Sequence, residues 1–256
     1  METRWQDIEI SNDFDIYQDT LEQLLGYSFV YNWLNSISSS NKILLDYGCG
    51  PGKVTYHIAT NNKWKIIAVD ESDNMLNIAK KKRSHPLITY RKVIDDNLFY
   101  LQDASVDATI LCFVLLNHGS KDRIINILKE VNRVLKPDGN CILLDTNPDS
   151  IGIKFTTFQS GTAGRHYEYG SERDARLFLP NGKVLNLTGY HWPKQMYYEA
   201  LNEAGFYVEN EKLPVLSELD ENKLIIYKNI HLLDPINTAE WNKPPFILFR
   251  AYKKYH

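Results

Sequence analysis

The stretch "LLDYGCGPGKVT" at residues 44–55 decides the fold of this chain. It carries a short apolar run into Asp46 and then places Gly48, Gly50 and Gly52 at alternate positions. A strand-length apolar run that is followed by glycines and by a helical pattern is typical of a strand–loop–helix unit. Glycine lets the backbone come close to a ligand. The stretch therefore predicts a ligand-binding loop at the carboxyl end of a strand.

Two phosphate-binding loops are excluded by residue identity. A dinucleotide fingerprint that starts at Gly48 needs glycine at position 53, where Lys53 stands. A P-loop that ends at Lys53 needs glycine at position 47 and Ser or Thr at position 54, and the sequence has neither. Because Asp46 can accept a hydrogen bond from a cationic or hydroxyl donor, the loop favours a ligand with an amino group and without a pyrophosphate.

Strand and helix patterns alternate after this loop. Short apolar runs predict strands at 42–46, 65–69, 87–93, 106–111 and 141–145, and helical periodicity predicts helices at 54–61, 74–82 and 123–135. This alternation is typical of parallel βαβ units. The predicted fold class is α/β, with a Rossmann-like, doubly wound and mostly parallel sheet.

The pattern changes on either side of this alternating region. Residues 147–192 contain the Asn181-Gly182 pair between two strand-like runs, which predicts a β-hairpin insert with a type I′ turn. Residues 193–256 predict a helix that returns to the core and an antiparallel last strand. Residues 14–38 carry apolar side chains at helical spacing, which predicts one or two helices. These helices either cap a site or pack against the sheet.

Composition and charge exclude several classes of protein. A net charge of −3 provides no broad positive field, so a nucleic-acid partner is not expected. The basic run at 80–83 is interpreted as a solvated helix end. Cys49, Cys112 and Cys141 lie far apart without a CxxC pair, which favours a reducing compartment. No uncharged apolar run reaches about 18 residues, so the protein is expected to be cytoplasmic and not membrane-bound.

Four sequence motifs occur in the order of a known family. They are "LLDYGCGPG" (44–52), "IIAVDESDNML" (66–76), "VIDDNLFYLQDASVD" (93–107) and "EVNRVLKPDGNCILLD" (130–145). In these motifs the chain resembles the class I S-adenosylmethionine-dependent methyltransferases. The resemblance implies S-adenosylmethionine as the cofactor. It also implies one domain, with an N-terminal helical cap (1–40), a cofactor-binding core (41–146), a substrate-side insert (147–192) and a C-terminal part of the core (193–256).

The resemblance also implies the residues that hold the cofactor. They are Asp46, Gly48, Gly50, Asp70, Glu71, Met75, Asp95, Asp96 and Phe113. Asp70 ends the second predicted strand, where an acid can accept hydrogen bonds from a ribose diol, and Glu71 assists it. Met75 is expected at the adenine, as is Asp95, with Asp96 as the adjacent alternative. Phe113 is expected at the methionine end of the cofactor.

Two histidines are candidate catalytic residues. His118 follows the fourth predicted strand, and His191 joins the insert to its following helix. A neutral imidazole can accept a proton near pH 7, although a base is required only if the nucleophile must lose one. No metal is predicted, because only Asp145 stands where metal-dependent members of the family cluster their acids.

The predicted function is methyl transfer to an oxygen or nitrogen of a small, partly apolar or aromatic molecule. The aromatic content, with 16 Tyr, 10 Phe and 5 Trp, favours such an acceptor. The alternatives are a cyclase or other enzyme that binds S-adenosylmethionine without transferring its methyl group, and a non-catalytic partner subunit. A nucleic-acid methyltransferase is disfavoured by the charge and by the absence of an Asn-Pro-Pro-aromatic or Pro-Cys motif after the fourth strand.

Overall fold

A computed structural model of the protein describes residue 3 and residues 5–37 and 41–254. The strands in these ranges are β1 Ile43–Tyr47, β2 Lys65–Asp70, β3 Ile88–Lys92, β4 Val106–Cys112, β5 Leu135–Thr146, β6 Phe158–Ser160, β7 Glu172–Phe178, β8 Val184–Tyr190, β9 Phe206–Lys212 and β10 Phe246–Lys253. Seven of them form one sheet in the order β3-β2-β1-β4-β5-β10-β9. Strands β1 to β5 are parallel to their neighbours in that group, and β10 is antiparallel to β5 and β9. The predicted fold class is confirmed.

Helices precede, connect and follow the strands, and several of them begin at a side chain that caps the first turn. Their bounds in the described ranges are α1 Ile8–Ile16, α2 Thr20–Glu22, α3 Ser28–Asn35, α4 Lys53–Asn61, α5 Asp73–Lys82, α6 Lys121–Val134, α7 Lys194–Glu203 and α8 Glu221–His231. A π-helical turn, Gln23–Tyr27, joins α2 to α3. The hydroxyls of Ser72 and Ser120 accept hydrogen bonds from the backbone N–H groups of Met75 and Arg123, respectively. They cap the N-termini of α5 and α6.

The central strands are buried on both faces, so their side chains divide into two cores. Leu45 and Leu143 pack with α6 and α7 on one face of the sheet. Leu44 and Leu144 pack with α2, α3 and α4 on the other face. With both faces covered, a ligand can reach the parallel strands at their carboxyl edge.

The N-terminal segment is tied to the end of α5 by ion pairs to one buried carboxylate. Both oxygens of the Asp15 carboxylate accept hydrogen bonds, one from Lys82 at 2.5 Å and one from Arg83 at 2.6 Å. Arg83 also donates to the backbone oxygen of Pro51, 2.9 Å away. The interpretation of 80–83 as a solvated helix end is therefore wrong for Arg83, whose side chain is 18% exposed, whereas the Lys82 side chain is 53% exposed. Both residues hold α1 beside the glycine loop, residues 48–52.

The insert contains a hairpin, but its details differ from the prediction. Strands β6, β7 and β8 form a three-stranded antiparallel sheet, so a third strand joins the predicted pair. The turn is not type I′, because Gly182 has φ +80° while Asn181 is not in the left-handed region. Pro180 holds a negative φ, which suits a type I turn followed by a left-handed glycine.

The segment between β9 and β10 contains one helix and several short helical turns. Within residues 214–245, α8 is accompanied by short 3-10 turns at Leu216–Glu218, Pro235–Asn237 and Ala239–Trp241. Among the described residues, no helix combines the length and the apolar composition needed to cross a lipid bilayer.

Candidate active site

A cavity opens at the carboxyl edge of the seven-stranded sheet, where β1, β2, β4 and β5 end. Its free space of about 200 Å³ is more than ten times what one buried water needs, roughly 10–15 Å³. The predicted residues that line it are Asp46, Gly48, Gly50, Asp70, Glu71, Met75, Asp96, Phe113 and His118. Asp95 and His191 lie outside its lining. The structure therefore brings together most of the residues that the sequence singled out.

The glycine loop has two kinds of glycine. The backbone N–H groups of Gly48 and Cys49 donate to the oxygen of Val69, which anchors the loop to β2. At Gly48, φ is +74° and an added Cβ would lie 2.5 Å from Val114 Cγ2, so this glycine is required by packing. At Gly50, φ is +52°, and the one described atom within 4 Å of an added Cβ is Phe14 Cε1, at 4.0 Å. Gly50 therefore exposes bare backbone to the cavity.

Two acids stand beside this loop, of which Asp46 is buried and Asp70 is half-buried. The Asp70 oxygens accept hydrogen bonds from the backbone N–H groups of Gly50 and Ser72, each at 2.8 Å. Asp46 is 2% exposed and accepts a hydrogen bond from the Thr55 hydroxyl. Burial raises the pKa of Asp46 to about 7 and the pKa of Asp70 to about 6. A ligand that donates hydrogen bonds or carries a positive charge would stabilise both acids in their ionised form.

An ion-pair network closes one side of the cavity. Arg123 donates to both oxygens of Asp96 and to Glu71, at distances of 2.8 Å. The carboxylates raise the pKa of this guanidinium, chiefly through the hydrogen bonds from Arg123 to Asp96. Asp95 and Asp96 both have positive φ, so the turn sends successive side chains in different directions. Asp96 faces the cavity and Asp95 does not.

The two candidate histidines occupy different environments. His118 lines the cavity at 7% exposure, and its Nδ1 has no hydrogen-bond partner among the described residues. Burial lowers the pKa of His118 to about 4, so its imidazole is neutral at physiological pH. His191 packs on the ring of Tyr167, 6.2 Å between centroids. The neighbouring Trp192 contacts His118 directly, because its indole N–H donates to the His118 backbone oxygen.

The N-terminal segment contributes groups that sequence reasoning missed. The Tyr17 hydroxyl donates to Glu22 at 2.5 Å, and both residues line the cavity. Burial raises the pKa of Glu22 to about 8, which leaves this carboxyl protonated at neutral pH. Lys53 donates to the backbone oxygen of Tyr17, and burial lowers its pKa. The segment is thus both a packing helix and a cavity wall, which joins the two alternatives that the sequence left open.

Comparison with known proteins identifies the family. A family model described as "Methyltransferase domain" matches residues 44–139. N-demethylindolmycin N-methyltransferase from Streptomyces griseus is 36% identical over 219 residues, which cover 84% of this chain and 92% of that protein. The chain belongs to the S-adenosylmethionine-dependent methyltransferases. The predictions of the family, of an enzyme, and of S-adenosylmethionine as its cofactor are confirmed.

Solved structures share the fold of this methyltransferase. The CcbJ methyltransferase from Streptomyces caelestis superimposes with a TM-score of 0.66 at 15% identity, and the alignment covers all of both chains. A putative S-adenosylmethionine-dependent methyltransferase from Listeria monocytogenes gives 0.60 at 18% identity, with 90% of this chain and 99% of that chain covered. At these identities the similarity supports the fold alone.

The residues of the cavity fit S-adenosylmethionine. Gly50 leaves a space that a Cβ would fill, as close backbone approach to a ligand requires. Asp70 retains lone pairs on both oxygens for hydroxyl donors, and Asp46 suits a cationic neighbour. Met75 and Val93 supply apolar surface near the Asp70 end of the cavity. These residues would hold the cofactor with its ribose at β2 and its amino acid part toward β1 and β4.

Arg173 and Ser160 are two further residues that sequence reasoning missed. Both are buried and line the cavity from the insert. Arg173 lies two residues before the strand-like run of the predicted hairpin, which starts at Ala175, and Ser160 lies in a segment without a motif. Even on a predicted strand, a charged residue by itself does not distinguish the cavity face from the solvent face.

Proposed function

We propose that this methyltransferase methylates a nitrogen atom of a small aromatic molecule. The observation that carries the proposal is the similarity to an N-methyltransferase over 219 residues, more than twice the length of the segment 44–139. A resemblance of that extent includes much more of the chain than its cofactor-binding motifs. The sequence alone left oxygen and nitrogen open as the acceptor atom, and the relative favours nitrogen.

Aromatic side chains support a flat, apolar acceptor. The Phe113 ring meets Tyr27 and Phe246 edge-on, with centroids 6.0 and 5.5 Å apart. The Phe158 ring stacks on Phe246 at 5.4 Å. All four rings line the cavity, and Phe158 belongs to the insert. Such rings bind planar apolar groups by stacked or edge-on contacts. We therefore propose that residues 147–192 form the substrate side of the site, as the sequence predicted.

The chain's own residues position the reactants and exclude water. S-adenosylmethionine supplies, when bound, an electrophilic methyl group on its sulfonium. Asp70 and the Gly50 backbone hold the cofactor at one end of the cavity, and the aromatic rings orient the methyl acceptor at the other end. Neutral His118 accepts a hydrogen bond from the acceptor's N–H at Nδ1, which directs the nitrogen lone pair away from the imidazole. We infer that His118 has this role and that His191, outside the lining, has none.

The proposal is tested by product analysis. N-demethylindolmycin and pairs of aromatic compounds that differ only in carrying an amine or a hydroxyl group are incubated with the enzyme and S-adenosylmethionine. We expect the nitrogen compounds to gain the mass of one CH₂, with the methyl group on nitrogen by NMR, and the hydroxyl counterparts to remain unchanged. Methylation on oxygen in this panel would refute the proposal.

Replacing His118 with glutamine tests its role. We expect kcat to fall about tenfold, the value of one hydrogen bond, while KM for S-adenosylmethionine is unchanged. The ratio of wild-type to variant kcat should stay constant between about pH 6 and pH 9, because a pKa of about 4 keeps His118 neutral throughout. With an ordinary pKa near 6.5, the wild type would lose its acceptor as pH falls, and the ratio would decline toward pH 6.

His57→Gln is the matched control for that variant. His57 stacks on the Tyr31 ring at 4.2 Å and is not among the described residues that line the cavity. Its replacement should leave kcat unchanged. An equal loss in both variants would assign the effect to stability and not to chemistry.

The proposal also covers the location of the enzyme, its partners and its need for a metal ion. We infer a cytoplasmic location from the cysteine pattern and no nucleic-acid partner from the net charge of −3. We also infer that methyl transfer proceeds without a metal ion. In the part of the chain that the structure describes, no group of three His, Cys, Asp or Glu side chains is placed to hold one.

A further inference from the structure

The three-stranded sheet turns one face toward the cavity. The register pairs Ala175 of β7 with Ser160 of β6 and with Leu187 of β8. Arg173, two residues from Ala175, lies on the same face of β7, because side chains alternate along a strand. All four of these residues line the cavity. The insert wall is therefore apolar in part and carries a guanidinium and a hydroxyl in one corner.

Arg173 is a buried cation with few partners. Its side chain is 3% exposed, and Nη2 donates to Thr146 Oγ1 at 3.1 Å. Its Nε has no hydrogen-bond partner among the described residues, and neither has the hydroxyl of Ser160, which is 2% exposed. A buried polar group without a partner costs about 1–3 kcal/mol, more if it is charged. Two such groups on one cavity wall point to a ligand that satisfies both.

The acids around Arg173 do not neutralise it at close range. The Asp145 oxygens accept hydrogen bonds from the backbone N–H groups of Leu116 and Thr146 and from the Tyr197 hydroxyl. Asp174 lies on the opposite face of β7, where it accepts a hydrogen bond from the Tyr167 hydroxyl. Neither acid forms an ion pair with Arg173 within 4 Å in the described structure. Burial lowers the pKa of Arg173, as expected for a guanidinium without a close carboxylate.

We propose that Arg173 and Ser160 bind an sp² oxygen of the methyl acceptor, either a carboxylate or a carbonyl oxygen. The inference deepens the proposed function and rests on it, because it names a second group that the aromatic acceptor carries. Nε of Arg173 and the hydroxyl of Ser160 donate to this oxygen, and Thr146 keeps the guanidinium in place. The oxygen therefore determines specificity and does not take part in methyl transfer.

The position along the sheet assigns this corner to the acceptor and not to the cofactor. The sheet order is β2-β1-β4-β5, with Asp70 at the end of β2 and Gly50 after β1. Thr146, the partner of Arg173, ends β5. A nucleoside held at β2 with its amino acid part toward β1 and β4 leaves the β5 end for the molecule that is methylated.

Binding measurements with three matched indoles test the proposal. The enzyme is saturated with S-adenosylhomocysteine and titrated calorimetrically with indole-3-acetate, indole-3-acetamide and 3-ethylindole. We expect the wild type to bind the acid or the amide at least about tenfold more tightly than 3-ethylindole, the value of one hydrogen bond to a charged donor. The acid and amide arms distinguish a carboxylate from a carbonyl. Equal affinities, or no binding of either oxygen compound, would overturn the proposal.

Variants assign the preference to the named side chains. Arg173→Met should abolish the preference and Ser160→Ala should reduce it severalfold, with the affinity for S-adenosylhomocysteine unchanged in both. Arg176→Met is the matched control, because Arg176 lies on the opposite face of β7 and should retain the preference. A folded Arg173→Met variant that keeps the preference, or that binds S-adenosylhomocysteine more weakly, would overturn the assignment.

The outcomes separate this proposal from the proposed function. If Arg173→Met does not fold, Ser160→Ala decides: a reduced preference supports the assignment and an unchanged preference overturns it. If the enzyme methylates oxygen and Arg173→Met still abolishes the preference for the oxygen-bearing indoles, only the proposal that nitrogen is the acceptor atom is refuted. If the enzyme methylates nitrogen and Arg173→Met keeps the binding preference, only the proposal that Arg173 and Ser160 bind an oxygen of the acceptor is refuted.

Discussion

Replacing Gly50 with alanine is expected to weaken binding of S-adenosylmethionine, in addition to straining a backbone that has φ +52°. The added methyl group would enter the cavity, where the one described neighbour within 4 Å is Phe14 Cε1, at 4.0 Å. It would occupy space that we expect the cofactor to need, and overpacking by one methyl group costs about 1–3 kcal/mol, or roughly five- to 150-fold in affinity. Calorimetric titration with S-adenosylhomocysteine measures the loss.

Two other glycines provide the controls for Gly50→Ala. Gly182 has φ +80°, and no described atom lies within 4 Å of an added Cβ, so Gly182→Ala measures the backbone strain alone, about 1–2 kcal/mol. Gly48→Ala adds a contact of 2.5 Å to Val114 and should lower the unfolding free energy further than either. If Gly50→Ala binds S-adenosylhomocysteine as tightly as Gly182→Ala does, the loop does not contact the cofactor.

Replacing Asp70 with alanine is expected to weaken binding of S-adenosylhomocysteine about a hundredfold. A hydrogen bond to a charged group is worth about 1.5–3 kcal/mol, and two hydroxyls of a ribose would donate to this carboxylate. The same change also removes the bonds that hold the backbone of Gly50 and Ser72. Titration of the variant, with its unfolding transition recorded in parallel, separates lost affinity from lost stability.

Asp73→Ala is the matched control for Asp70→Ala. Asp73 stands three residues further on and forms an exposed ion pair with Lys92 at 2.5 Å. It does not belong to the lining of the described cavity. Its loss should leave the affinity within a factor of about two, since exposed ion pairs contribute little. Unchanged affinity in the Asp70 variant would remove the ribose assignment and leave the family membership intact.

The predicted site residues that the structure brings to one cavity follow from patterns that are local in the sequence. Gly48 and Gly50 follow β1 directly, and Asp70 follows from the same alternation of strands one unit later. Parallel strands bring their carboxyl ends to one edge, so a motif at each end predicts a shared site without further information. The antiparallel last strand was likewise predicted and is confirmed by the pairing of β10 with β5.

The residues that were missed depend on distant contacts. Glu22 lies within hydrogen-bond distance of Thr157, which is 135 positions away, and Arg173 contacts Thr146 across 27 positions. No local spacing connects these residues. Which of Asp95 and Asp96 faces the cavity also required coordinates, because two consecutive left-handed residues turn the side chains in ways that a strand pattern does not indicate.

The sequence by itself determined the fold class and the cofactor, and it predicted the glycine loop as the place where the cofactor binds. It did so because alternating apolar patterns, glycine positions and strand-end acids are local properties of the chain. The tertiary structure alone decided which polar groups line the cavity and in which direction burial shifts their pKa values. Those properties follow from burial, and burial at Glu22, His118 and Arg173 is produced by the packing of the N-terminal helices and the insert over the sheet.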